Sequence, residues 1–247
     1  MKYTKMPIDI PEQISILKNR GLIIEDGAVV IFILTNHIKK CIFFVNMKNA
    51  MENTQRLADF APKVGGVFSL SELGALFDIS SQQRLWIAVR QFEAAGLLKR
   101  YCRGIYVARD FDPQVLSAKV RTDSYISFGS ALAYHRLIGT ESPFLVSCVV
   151  PSRASEFTGD VNLSYARISK ELFFGMVPLE NGVKMADAEK AVLDTLYFYQ
   201  HKKNFYFSVF QDIDFAALSR ERMNMYLDRY ANPKFKAFAR NTVYGKV

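Results

Sequence analysis

The chain has 247 residues, half of them hydrophobic and 23% charged. That composition excludes intrinsic disorder and supports one or two well-buried cores. Its three cysteines, Cys41, Cys102 and Cys148, lie far apart, which excludes a disulfide scaffold and any closely spaced thiol pair for zinc or redox chemistry, and points to a reducing cytoplasm.

The longest apolar run, Ala28–Leu34, is far short of the ~20 residues that span a bilayer, so no membrane role is expected. The net charge of +8 suits a polyanionic partner without identifying one. Three regions are expected: an N-terminal extension over 1–51, to which no role is assigned, a unit over 52–110, and a mixed α/β unit over 111–247. The fold class is α+β.

In the extension, Glu12–Arg20 reads as a short helix stopped by Gly21, and Ala28–Asn36 as a second short element. The polar stretch Asn46–Asn53 reads as a linker. Thr54–Ala61 is expected to be helical and to break at Gly65–Gly66, with Phe68 in a short extended piece. Ser69 followed three residues later by Glu72 makes a capping box for a helix carrying Leu70, Leu73 and Leu76. Ser80 is expected to cap the next helix, Ser81 to Ala95, which stops at Gly96. Leu97–Tyr101 and Ile105–Arg109 form a hairpin around Cys102–Arg103–Gly104.

Helix, helix, turn, helix and hairpin, in that order over 54–109, is the order of a winged helix-turn-helix. A duplex reader needs a rigid helix that fits the major groove, supported by others. At about 100° per residue, Leu85, Ala88, Val89 and Phe92 share the core face of the second helix. Gln83, Ile87, Arg90 and Gln91 fall opposite, with Gln82 and Arg84 on the flanks of the first turn. Gln pairs bidentately with adenine and Arg with guanine. Lys99, Arg100 and Arg103 give the hairpin a basic tip suited to a phosphate backbone. The alternative for all these cations is a solvated surface.

Beyond 110, Pro113–Val120 reads as a helix and Tyr125–Ser127 as a strand leading into a helix over Gly129–Leu137. Phe144–Val150 and Val161–Ile168 read as strands. Ala186–Tyr199 is helical, and helices follow over Phe215–Tyr230 and Lys234–Arg240. The aromatic stretch Tyr197–Phe210 is expected in the core, with Lys202, Lys203 and Asn204 as its exposed break.

No catalytic constellation emerges. His37, His135 and His201 lack metal-ligand spacing, so no metal or other cofactor is expected. Ser130 and His135, five apart on one helix, diverge by about 140°, and no GxSxG occurs. Lys190 and Asp194, four apart, read as a surface pair, with Glu189 beside them. That cluster is either a fold-stabilising network or a site of activity.

Phe68–Ser69–Leu70–Ser71–Glu72–Leu73, Leu97–Leu98 and Arg103–Gly104–Ile105–Tyr106 resemble the N-terminal domain of AbiEi-type antitoxins, regulators from type IV abortive-infection toxin–antitoxin systems. Two later stretches are similar to that family's C-terminal domain. One is Tyr125 to His135 (YISFGSALAYH), which includes Ser127, Gly129, Ser130 and His135. The other is Ala186 to Asp194 (ADAEKAVLD), which includes Glu189, Lys190 and Asp194, with Ala188 where Pro is common. The resemblance spans about 52–200. It implies a non-enzymatic cytoplasmic antitoxin that binds double-stranded DNA at inverted repeats of its own promoter, as a dimer, and counteracts a nucleotidyltransferase-like toxin. The alternative is a winged-helix regulator with no toxin partner. Glu12–Gln13 and Leu17 to Ile24 faintly resemble the opening of a second abortive-infection family, the Abi-D/Abi-F type.

Overall fold

The structure, a computed structural model, describes residues 51–245. The expected elements over Glu12–Arg20 and Ala28–Asn36 lie outside those residues. By contacts the chain divides into two compact units, 1–58 and 59–247. Of the first, only 51–58 are described, and they belong to a helix (α1) covering 51–60. The second unit is described over 59–245.

Its architecture is α+β with two sheets. After a 3-10 turn at Ala61–Val64 and the Gly65–Gly66 break come β1 (Val67–Ser69), α2 (Leu70–Leu76), α3 (Gln82–Ala94), β2 (Lys99–Cys102) and β3 (Ile105–Val107). The strands close a three-stranded antiparallel sheet in the order β1-β3-β2. The capping box is present: Ser69 Oγ accepts from the Glu72 amide at 3.2 Å, and the Ser69 amide donates to Glu72 Oε2 at 2.7 Å. Glu72 also takes the Lys119 ammonium at 2.6 Å, tying α2 to the next helix, α4 (Pro113–Val120).

The second sheet has six strands in the order β6-β7-β5-β4-β9-β8. They are β4 (Tyr125–Ile126), β5 (Leu145–Val150), β6 (Ser155–Phe157), β7 (Asn162–Arg167), β8 (Met176–Pro178) and β9 (Lys184–Ala186). The central pairs β5–β7 and β4–β9 are parallel and the others antiparallel. Cys148, Val149 and Val150 of β5 are fully buried, as a strand covered on both faces requires. Helices α5 (Phe128–Tyr134), α6 (Ala188–Gln200), α7 (Arg220–Asp228) and α8 (Pro233–Tyr244) complete the unit. One apolar core runs through both sheets: Val67 and Val107 of the first join Val115, Leu116, Val149 and Leu193.

Several expectations change. Helix α3 is capped by Ser81 rather than Ser80, and the cap makes no side-chain hydrogen bond. The helix expected over Gly129–Leu137 ends at Tyr134, because Arg136 turns to φ +59°. The single helix expected over Phe215–Tyr230 is two pieces, a 3-10 turn at Phe215–Ala217 and then α7, whose N-cap Ser219 accepts from the Arg222 amide at 3.3 Å. The aromatic stretch is not all core: Tyr206 is 93% exposed, while Lys203, expected outside, is half-buried.

Candidate functional site

Helix α3 separates cleanly into two faces. Leu85, Val89 and Phe92 are buried, and the Phe92 ring stacks on Phe77 at 4.9 Å. Gln82, Gln83, Arg84, Ile87, Arg90 and Gln91 are all exposed. Of the expected core face only Ala88 is half-buried. The six predicted readers therefore form one outward strip, polar except for Ile87.

The hairpin carries the other predicted contacts. Gly104 at φ +80° makes the turn, a backbone region that a side chain would disfavour, and this leaves Arg103 exposed at the tip. The Leu70 amide donates to the Gly104 carbonyl at 2.9 Å, which sets the hairpin turn against the start of α2. Arg100 is exposed, its Nε donating to the Cys102 carbonyl at 3.3 Å. Lys99 stands apart. Its ammonium lies 2.7 Å from both oxygens of Asp160, which precedes β7. The charge of Lys99 is thus compensated within the protein, whereas those of Arg100 and Arg103 face solvent.

The two motif stretches 125–135 and 186–194 meet inside the six-stranded unit. Asp194 accepts from Tyr125 Oη at 2.8 Å and from Ser127 Oγ at 2.9 Å, and it takes the Lys190 ammonium on its other oxygen. Lys190 and Asp194 are wholly buried, so the expected surface pair is an internal one. Spacing along one helix is the same in either case. What buries the pair are Tyr125, Phe174 and Tyr230, whose rings lie 4.7–5.9 Å from the ammonium. Burial pushes the Asp194 carboxyl up, against the pull of Lys190.

The remaining motif residues disperse around that cluster. Glu189 accepts from the Ser219 amide at 2.8 Å and meets Arg222 at 3.5 Å, docking α7. Ser130 Oγ accepts from the Ser147 amide at 3.0 Å, and His135 Nε2 lies 2.7 Å from the Ala186 carbonyl. Gly129 packs directly on Glu141: a Cβ at Gly129 would fall 1.6 Å from a carboxylate oxygen of Glu141. Asp187, the N-cap of α6, accepts from the Lys190 amide at 2.8 Å and from Tyr226 Oη at 2.5 Å. Ser130 and His135 have separate partners and form no catalytic pair. Among the described residues no three His, Cys, Asp or Glu side chains gather as a metal site, and no helix is long and apolar enough to cross a membrane.

The fold has a solved counterpart. The chain is similar to the RV2827C protein from Mycobacterium tuberculosis, whose crystal structure superposes with a TM-score of 0.53 over 76% of this chain and 74% of that one. At 12% identity the likeness bears on the fold alone. No family model matches the sequence, and no curated protein matches it significantly.

Sequence reasoning missed Glu141, Glu156 and Lys203, which line one cleft beside Gly129. Gly129 was legible as a motif position, but nothing local to it announces a carboxylate twelve residues away. Tyr125 was read as a strand residue and as the first position of the 125–135 motif, with no partner named for its hydroxyl. Its hydroxyl partner, Asp194, is 69 residues further on.

Proposed function

We propose that this protein is a winged helix-turn-helix regulator that binds double-stranded DNA at inverted repeats of its own promoter, with α3 in the major groove and the β2–β3 hairpin along the backbone. The observation that carries the reading is the outward strip Gln83, Arg84, Ile87, Arg90 and Gln91 opposite the buried Leu85, Val89 and Phe92. A helix held by its apolar face and presenting Arg and Gln offers bidentate donors to guanine and adenine edges. Arg100 and Arg103 add uncompensated charge on an adjoining element, which suits phosphate contacts that set register without reading bases.

We further infer that the regulator is the antitoxin of a type IV abortive-infection system and counteracts a nucleotidyltransferase-like toxin. This half rests on the resemblance of 125–135 and 186–194 to the AbiEi family. Tyr125, Ser127, Lys190 and Asp194 converge in one buried cluster, so the two stretches form a single structural device. No catalytic step is assigned. The second reading, a regulator without a toxin, is favoured by the same burial, since a cluster closed to solvent acts on the fold rather than on a partner.

Gel shifts with the protein's own upstream DNA against scrambled DNA test the first half. Co-expression with a nucleotidyltransferase-like toxin encoded beside it tests the second. Promoter binding without rescue leaves the plain regulator. Absence of both removes the proposal.

A further inference from the structure

A cleft of about 390 Å³ opens between the start of α5, the loop before β5, the edge strand β6 with its neighbour β7, and the segment after α6. Its size falls within the range of small-ligand sites. Two of its walls are aromatic: Phe205 and Phe207 lie 5.4 Å apart, centroid to centroid, and Phe157 stands across on β6. Its ionisable groups are Glu141 in the loop, Glu156 on β6, and Lys203 and Tyr206 after α6.

These charges do not balance in place. Lys203 is half-buried 5.4 Å over the Phe128 ring, and burial lowers its ammonium pKa against the opposing pull of Glu156. Glu141 has no cationic side chain at ion-pair distance among the described residues. Its Oε2 is buried without a hydrogen-bond partner among the described residues. A buried carboxylate oxygen left without a hydrogen bond is destabilising, and fold stability gains nothing from it. The seat is nonetheless built for it, because any side chain at position 129 would occupy the space of the carboxylate.

We propose that this cleft binds a guanidinium group, carried either by a small organic cation or by an arginine side chain of a partner protein. A planar guanidinium donates hydrogen bonds to carboxylate oxygens and stacks on aromatic faces, and the cleft supplies both kinds of surface in Glu141, Glu156 and its three phenylalanines. Glu141 receives the charge, Phe157, Phe205 and Phe207 enclose the plane, and Glu156 adds a second acceptor. The site does not depend on the DNA-binding reading.

Burial raises the Glu141 carboxyl to about 7. A cation should therefore bind more tightly as Glu141 ionises, and weaken by about tenfold from pH 8 to pH 6. Calorimetric titration of the full chain with Nα-acetyl-arginine amide tests the assignment, with the uncharged Nα-acetyl-citrulline amide as control. Saturable 1:1 binding is expected, at least tenfold tighter than the control. Glu141→Gln should weaken it at least tenfold and flatten the pH dependence. Glu156→Gln, at an exposed position that leaves the fold untouched, should weaken it several-fold. Agmatine distinguishes the sources: tighter binding than the amide indicates a free cation, weaker binding an arginine side chain, and either supports the site. Equal binding of the citrulline control, no saturable binding of any probe at pH 8, or full affinity in both variants would overturn it.

Discussion

Lys99 and Asp160 join the hairpin to the six-stranded sheet: the ammonium reaches both carboxylate oxygens at 2.7 Å. Two residues further along β2, Tyr101 Oη donates to the Val161 carbonyl at 2.8 Å. The hairpin proposed to lie on DNA is therefore fastened along β2 and, through the Gly104 carbonyl, at its turn, with the Arg103 side chain left exposed. With side chains 65% and 56% exposed, the Lys99–Asp160 pair is worth at most about 1 kcal/mol, yet it sets which hairpin cations remain for phosphate.

The hairpin cations should separate in a salt titration. Arg103→Ala is expected to make the log–log slope of DNA affinity shallower by about 1 per protomer, with similar weakening on specific and random DNA. Lys99→Ala should leave the slope unchanged, because its charge is already met by Asp160. Fluorescence anisotropy from low to moderate salt reads both. A slope change for Lys99→Ala and none for Arg103→Ala would reverse the assignment.

On α3, Gln83→Ala, Arg84→Ala and Arg90→Ala should each leave thermal stability within a degree or two, since all three are exposed. A residue that reads a base should cost about 1–3 kcal/mol on promoter DNA and relax specificity at one position. Gel shifts with single-base operator variants would show which residue reads which position. Unchanged affinity in all three would take α3 out of the groove.

The buried pair should behave as structure. Lys190→Met or Asp194→Ala alone strands a charge in the core and is expected to cost about 3–5 kcal/mol in chemical unfolding. The double variant Lys190→Met, Asp194→Leu should recover much of that loss, because it removes both charges. A double variant as unstable as the worse single one would show that the pair contributes more than mutual compensation.

Glu141 gives a signature of opposite sign to the usual acid loss. Its folded pKa, about 7, lies above the ordinary carboxyl value of 4.5. The folded state therefore holds the proton more tightly, and stability from this group is present below about pH 4.5 and lost as pH rises through 7. Allowing for its partial exposure, the loss is about 1–2 kcal/mol. Glu141→Gln should abolish that loss and be the more stable protein at pH 8, as measured by urea unfolding at pH 5 and pH 8.

Local chemistry carried much of the fold. The Ser69–Glu72 box, the Gly96 stop, the Arg103–Gly104 turn and the 3.6-residue stripe Leu85, Val89, Phe92 are signals complete within a few residues, and each appears where the sequence places it. Failures came where an outcome depends on distant chain. Strands β6, β8 and β9 have three residues each, too few to display alternation, and exist because longer neighbours hold them. The Lys190–Asp194 spacing is compatible with surface or core, and only Tyr125, Phe174 and Tyr230 decide it. The expected boundary at 110 also has tertiary ties across it: Glu72 bonds to Lys119, and Val107 shares a core with Val115 and Leu116. A chain cut at 120 would leave the faces of α4 that meet β5 exposed.

The most direct test is the salt dependence of full-length protein binding to its own promoter DNA. With Arg84, Arg90, Arg100 and Arg103 each neutralising one phosphate, binding should exceed that to scrambled DNA, and log affinity should fall with log salt at a slope of about −3.6 per protomer and about −7 for a dimer on an inverted repeat. Equal affinity for promoter and scrambled DNA, or a slope near zero, would contradict a DNA-reading role for α3 and its hairpin.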